Sequence, residues 1–127
     1  VQITANGITA HEIFLFNGER NAIVTSGKIP FETEITLVFD ELQGYKSEDG
    51  QSELGMSMVI KDKNQEILLS EMDLLKEQKM NVMEQNKQLY GSFILPKDVK
   101  GPVLLEVVVW DKLGEGRIKV LAKLELE

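Results

Sequence analysis

The side chains best equipped for chemistry lie between positions 40 and 53. Asp40, Glu41, Glu48, Asp49 and Glu53 are gathered around Gly44 and the pair Asp49-Gly50. Carboxylates in a turn-rich stretch supply the hard oxygen ligands that Ca²⁺ takes. Glu48, Asp49 and Glu53 are therefore the candidate metal ligands, with Ca²⁺ as the ion. The regular Asp-x-Asp-x-Asp-Gly spacing of a dedicated calcium loop is missing, and a solvated acidic loop is the simpler account of the same residues. Tyr45, in the same polar stretch, is the candidate ligand-contacting aromatic, because a ring with a polar tip can stack on a sugar and hydrogen-bond to it. Trp110, Tyr90 and Phe93 complete the aromatic set, although Trp110 sits in so apolar a run that a core position is expected for it.

Other chemistries find little support. His11 is the only histidine, and no Gly-x-Ser-x-Gly elbow or similar nucleophile context accompanies it. The absence of cysteine excludes disulfides, thiolate metal sites and cysteine nucleophiles. No pair of carboxylates is singled out for glycoside hydrolysis. No catalytic residue is assigned, and the chain is read as a non-enzyme with no cofactor beyond the Ca²⁺ option. Fourteen basic against twenty-one acidic side chains leave a formal charge of −7, which disfavours phosphate backbones and anionic membrane surfaces. The nearest approach to a basic cluster is Lys97, Lys100, Lys112, Arg117, Lys119 and Lys123, interspersed with acids. No apolar run nears the roughly 18 residues of a spanning helix.

Strands must position these groups. In residues 103–110 (VLLEVVVW), Val103, Leu105, Val107 and Val109 share one face, and Leu104, Glu106, Val108 and Trp110 the other. With both faces nearly apolar, this strand is expected at the centre of a sheet and covered on both sides. Residues 111–116 carry turn chemistry, with Gly114 and Gly116 free to take positive φ. The return strand alternates Ile118, Val120, Ala122, Leu124 and Leu126 inward with Lys119, Lys123 and Glu125 outward. Its end, residues 121–127, is an exposed edge guarded by Lys and Glu.

Further strands are expected over 11–16, 22–25, 34–40, 55–61, 66–70 and 89–95. Ile29-Pro30-Phe31 reads as an edge segment or a crossover, since Pro30 has no N–H for a ladder. Residues 41–53 read as one long loop. Residues 71–87, with Leu74, Leu75, Gln78 and Val82 near helical spacing, are expected to hold a short helical crossover. At 127 residues there is room for one domain with a substantial core. The expectation is one all-β domain over 1–127, a two-layer antiparallel β-sandwich with a helical crossover near 71–88.

The later half carries a resemblance. The order Val59-Ile60-Lys61-Asp62, Ile67-Leu68-Leu69, Phe93-Ile94-Leu95-Pro96, Gly101-Pro102 and Val107-Val108-Val109-Trp110-Asp111-Lys112 resembles immunoglobulin-like β-sandwich modules of exported bacterial proteins. In those modules an aspartate ends a strand and opens the final hairpin turn, the place of Asp111. Val103 stands where an aromatic residue is common, and Gln65 where the first turn commonly has glycine. The resemblance covers roughly residues 54–127. It implies a non-catalytic binding or adaptor module making protein–protein contact, periplasmic or extracellular and on or outside a bacterial cell. The alternative is a carbohydrate- or calcium-binding sandwich using the 40–53 loop. Residues 105–112 also look like a strand-to-loop junction of C2-like calcium and lipid modules, for which Asp49, Asp62 and Asp111 would have to converge.

Overall fold

The computed structural model describes residues 2–75, 79–81 (backbone alone) and 88–127. Its strands are β1 (Gln2–Asn6), β2 (Thr9–Asn17), β3 (Ala22–Val24), β4 (Lys28–Ile29), β5 (Ile35–Gln43), β6 (Gln51–Lys61), β7 (Ile67–Glu71), β8 (Lys79–Asn81), β9 (Gln88–Phe93), β10 (Val103–Asp111) and β11 (Arg117–Leu126). They form two sheets. The larger runs β1-β11-β10-β6-β7, with β4 alongside the end of β11 and β8 against the start of β6; the smaller runs β3-β2-β5-β9. Every pairing is antiparallel except β4 with β11. The seven-and-four division differs from the four-and-three of immunoglobulin constant domains.

β10 is central in the larger sheet, paired from Leu104 to Asp111 with β6 and from Val103 to Trp110 with β11. Val103, Leu105, Val107 and Val109 are at most 1% exposed. They meet Ile118, Val120, Ala122 and Leu124 of β11, and Leu54, Met56, Met58 and Ile60 of β6, in one core closed from the other side by Ile35, Leu37, Phe39, Leu89 and Phe93. The period-2 alternation therefore places the inward faces of β6, β10 and β11 as expected. Among the described residues no layer covers the second face of β10, however: Leu104 is exposed, and Glu106, Val108 and Trp110 are half-buried. Apolar side chains on an open face made the strand look enclosed.

Three local expectations change. Gly114 and Gly116 do not take positive φ. They are needed for room, since a Cβ on Gly116 would overlap Ile8 and one on Gly114 would press on Asp111 Oδ2. The expected 41–53 loop shortens to residues 44–50 because β5 runs on to Gln43 and β6 starts at Gln51. The expected open edge at 121–127 is covered: β1 pairs along Arg117 to Leu121, and β4 along Glu125 and Leu126. Backbone bonds from Glu125 N–H to Gly27 O and from Glu127 N–H to Ile29 O fasten that end.

No helix is present among the described residues. Within the expected crossover, Glu71 ends β7, Leu74 and Leu75 form a turn, and Lys79–Asn81 is a strand on β6. Residues 76–78 and 82–87 of that span, with Gln78 and Val82, lie outside the described residues. Aspartate explains the turn: Asp73 Oδ1 accepts N–H bonds from Leu75 and, across the sheet, from Met56, a side-chain turn that competes with helix. Gln65, in the glycine place of the first turn, does adopt a left-handed φ of 65°.

Candidate functional site

At one end of the sandwich the 44–50 loop meets the β10–β11 hairpin. Asp49 and Gly50 both have positive φ (52° and 75°), and Glu48 and Gln51 exchange both backbone bonds. That is the geometry of a type I′ turn, for which Asp-Gly is a preferred pair. Glu48, Asp49 and Glu53 line one open cleft of about 140 Å³ together with Gln51, Ser52 and Leu113. Glu48 and Asp49 are exposed, and among the described residues no three His, Cys, Asp or Glu side chains are placed to hold a metal ion. Ser52 Oγ is buried there without a hydrogen-bond partner. Asp40 does not join them, since Gln88 Nε2 donates to it on the smaller sheet.

Asp111, 4% exposed, ties the two loops. Its Oδ2 accepts the Lys46 N–H at 2.7 Å and its Oδ1 the Leu113 N–H at 2.9 Å. Both oxygens thus serve structure. Asp62 does the same at the other end of β6, where Oδ1 accepts the N–H groups of Asn64 and Glu66. The eleven residues of β6 set the two ends roughly 30 Å apart, so Asp49, Asp62 and Asp111 do not converge in the C2-like manner. Tyr45 is half-buried and packs against the core. Phe93 is core, His11 is exposed, and Met56 and Met58 are buried as alternation implied. Met80 and Met83 lie outside the described side chains.

The two open sheet faces hold what sequence reasoning missed. On the larger sheet Trp110 is opposite Gly55 on β6 and Arg117 on β11. A Cβ on Gly55 would overlap the six-membered ring of the indole. Glycine thus lets the ring lie across the β6 backbone, and Trp110 stays half-exposed. Beside it, Lys112 Nζ meets Asp73 Oδ2 at 2.6 Å. Burial pushes the Asp73 carboxyl up, but the Lys112 bond and the Met56 and Leu75 N–H groups outweigh it and hold the group below its ordinary value. The signal for this site was present in the bare pattern, as Gly55 and Trp110 both point outward, but their pairing depends on register.

On the smaller sheet Phe14, Val38 and Tyr90 form one cross-strand row. The neighbouring rows are Phe16, Thr36 and Ser92, in which Thr36 and Ser92 hydroxyls bond at 2.8 Å, and Glu12, Asp40 and Gln88. Tyr90 is 63% exposed, and Ile23, opposite Phe16, is 51% exposed.

No protein-family model matches the chain, and no curated protein sequence matches it. Among solved structures it is similar to the crystal structure of the C-terminal domain of Wzt, with a TM-score of 0.64 and 11% identity over 99% of this chain and 77% of that one. At that identity the likeness is one of fold: this chain is an all-β sandwich.

Proposed function

We propose that the chain is a non-catalytic carbohydrate-binding module whose ligand lies on the open face of the larger sheet, across Trp110. The observation that supports this is the indole laid over Gly55 and half-exposed on the central strand of that face, next to the β10–β11 turn. A sugar ring offers an apolar C–H face to an aromatic plane and hydroxyls to surrounding polar groups, and an indole resting on backbone is already ordered before the ligand arrives. Arg117 and Asn6 in its row, and Ser57 in the next, supply hydrogen-bonding tips around it. The ligand surface thus shifts from the 40–53 loop, where Tyr45 packs inward, to the sheet.

A glycan array followed by calorimetric titration tests the reading. Trp110→Ala is expected to cost roughly 2 kcal/mol or more of binding, about thirtyfold in Kd. Gly55→Ala, which keeps the indole but pushes it off the strand, is expected to weaken binding in the same direction. Full binding by both variants would overturn the proposal.

A second reading keeps the adaptor role on or outside a bacterial cell, and the smaller sheet supports it. Phe14, Phe16, Val38, Tyr90 and Ile23 are apolar side chains on an open face rimmed by Glu12, Asp40 and Gln88, the arrangement of a protein interface with a polar rim. A protein partner that still binds Trp110→Ala but not Tyr90→Ala would favour this reading.

A further inference from the structure

The part of the Trp110 face that runs from Trp110 to Leu104 is more basic than the chain as a whole, with Glu53 on β6 and Glu125 on β11 just beyond its ends. Reading outward-facing residues row by row from Trp110, Arg117 lies beside Trp110, Lys119 beside Val108, Leu121 beside Glu106, and Lys123 beside Leu104. On the β6 side the same rows hold Gly55, Ser57, Val59 and Lys61. β1 adds the uncharged Asn6, Thr4 and Gln2. These rows hold four cations against one carboxylate, Glu106, in a chain whose formal charge is −7. Among the described residues none of Arg117, Lys119, Lys123, Lys61 or Glu106 has an ion-pair partner. Other long cations of this protein do find carboxylates, as Arg20 does with Glu127 and, next to Trp110, Lys112 with Asp73.

From this we infer that the ligand is an acidic polysaccharide, one whose sugars carry carboxylates of the uronate type. The inference rests on the carbohydrate reading above and names its ligand class. Arg117 presents a planar fork that pairs with a carboxylate through two parallel bonds, and it flanks the ring on which the sugar stacks. Lys119 and Lys123 continue along β11. Arg117 to Lys123 spans about 20 Å at roughly 3.3 Å per residue, enough track for several consecutive sugars. The aliphatic Val108, Leu121 and Leu104 between the cations suit sugar C–H faces rather than a hydrated phosphate chain. Duplex nucleic acid and anionic bilayers need clustered cations over a wider surface, and the remainder of this protein is strongly acidic and repels them.

The experiment uses the full chain, a panel of uronate-containing polysaccharides such as polygalacturonate and alginate, and the same polymers after carboxyl reduction. Affinity electrophoresis and titration are followed as a function of salt. The expected result is binding of the acidic polymers that weakens as salt rises, with carboxyl-reduced polymers bound about tenfold or more weakly. Lys119→Gln and Lys123→Gln, at outward-facing sites where folding is little affected, are expected each to weaken binding to the acidic form several-fold and to leave binding to the reduced form unchanged. Equal binding of acidic and reduced polymers would overturn this inference while leaving the carbohydrate reading standing. Binding of duplex DNA or of phosphatidylserine vesicles as tightly as the polysaccharides would also overturn it. Failure to bind any polymer, acidic or neutral, would remove both.

Discussion

Asp111 shows how one buried carboxylate can do structural rather than catalytic duty. Two N–H groups from two loops, Lys46 and Leu113, end on its two oxygens. Asn in its place offers one carbonyl oxygen and turns an amide NH₂ toward the other N–H. Asp111→Asn is therefore expected to lose about 1–3 kcal/mol of stability, read from the midpoint of urea unfolding with an unchanged slope. Asp73 carries a pH signature. Its folded-state carboxyl lies below the ordinary 3.8, so the ionised form is the one folding favours. The contribution is present in full above that ordinary value and is lost as pH falls through it toward the lower folded value. Melting curves of the native protein and Asp73→Asn should differ by a constant amount near neutral pH and converge below pH 3.8. A difference that grew on acidification would contradict the assignment.

At the scale of the element, β10 separates what alternation tells from what it hides. Leu105 is wholly buried and Leu104, its chain neighbour, is 41% exposed. Leu105→Ala is expected to cost about 2–5 kcal/mol and Leu104→Ala roughly 0.5 kcal/mol or less, a contrast that thermal unfolding resolves. The core was legible because Val103, Leu105, Val107 and Val109, with Ile118, Val120, Ala122 and Leu124 on the return, follow a period of two. The hairpins were legible through Asp62 and Asp111, whose side chains do close their turns. The open face was not legible, because Val108, Leu104 and Trp110 have the same composition whether a layer covers them or solvent does. Nor was the crossover: Leu74 and Leu75 sit at plausible helical spacing, while Asp73 accepts the N–H of Leu75 and of Met56 on β6, and the Leu74 N–H goes to Met56 O. The acidic loop carries two readings in the same residues, a tight-turn pair and a source of ligands, and Asp49-Gly50 does form the turn. Gly55 carried the strongest unread signal, a glycine inside a strand marking close approach by something across the register.

Taken as a whole, the sandwich presents two open faces of different chemistry, with a shared core between them. One has an indole beside Arg117, Lys119 and Lys123; the other has Phe14, Phe16 and Tyr90 beside Glu12 and Asp40. The faces belong to separate sheets, so changes on one should leave the other's binding intact. Tyr90→Ala is expected to leave polysaccharide affinity within about twofold, since distant sites act independently to within roughly 0.5 kcal/mol; a larger loss in titration would mean that the sheets communicate. Pairing of β11 with β10 on one flank, and with β1 and β4 along the other, bears on assembly, because a strand already paired offers no template for adding another chain. The position of Trp110 has one more practical consequence. It is the chain's single tryptophan, so the protein's indole fluorescence originates wholly from the ring above Gly55. A molecule settling there would alter the emission directly, and an unlabelled sample in a cuvette would serve as its own optical gauge of occupancy.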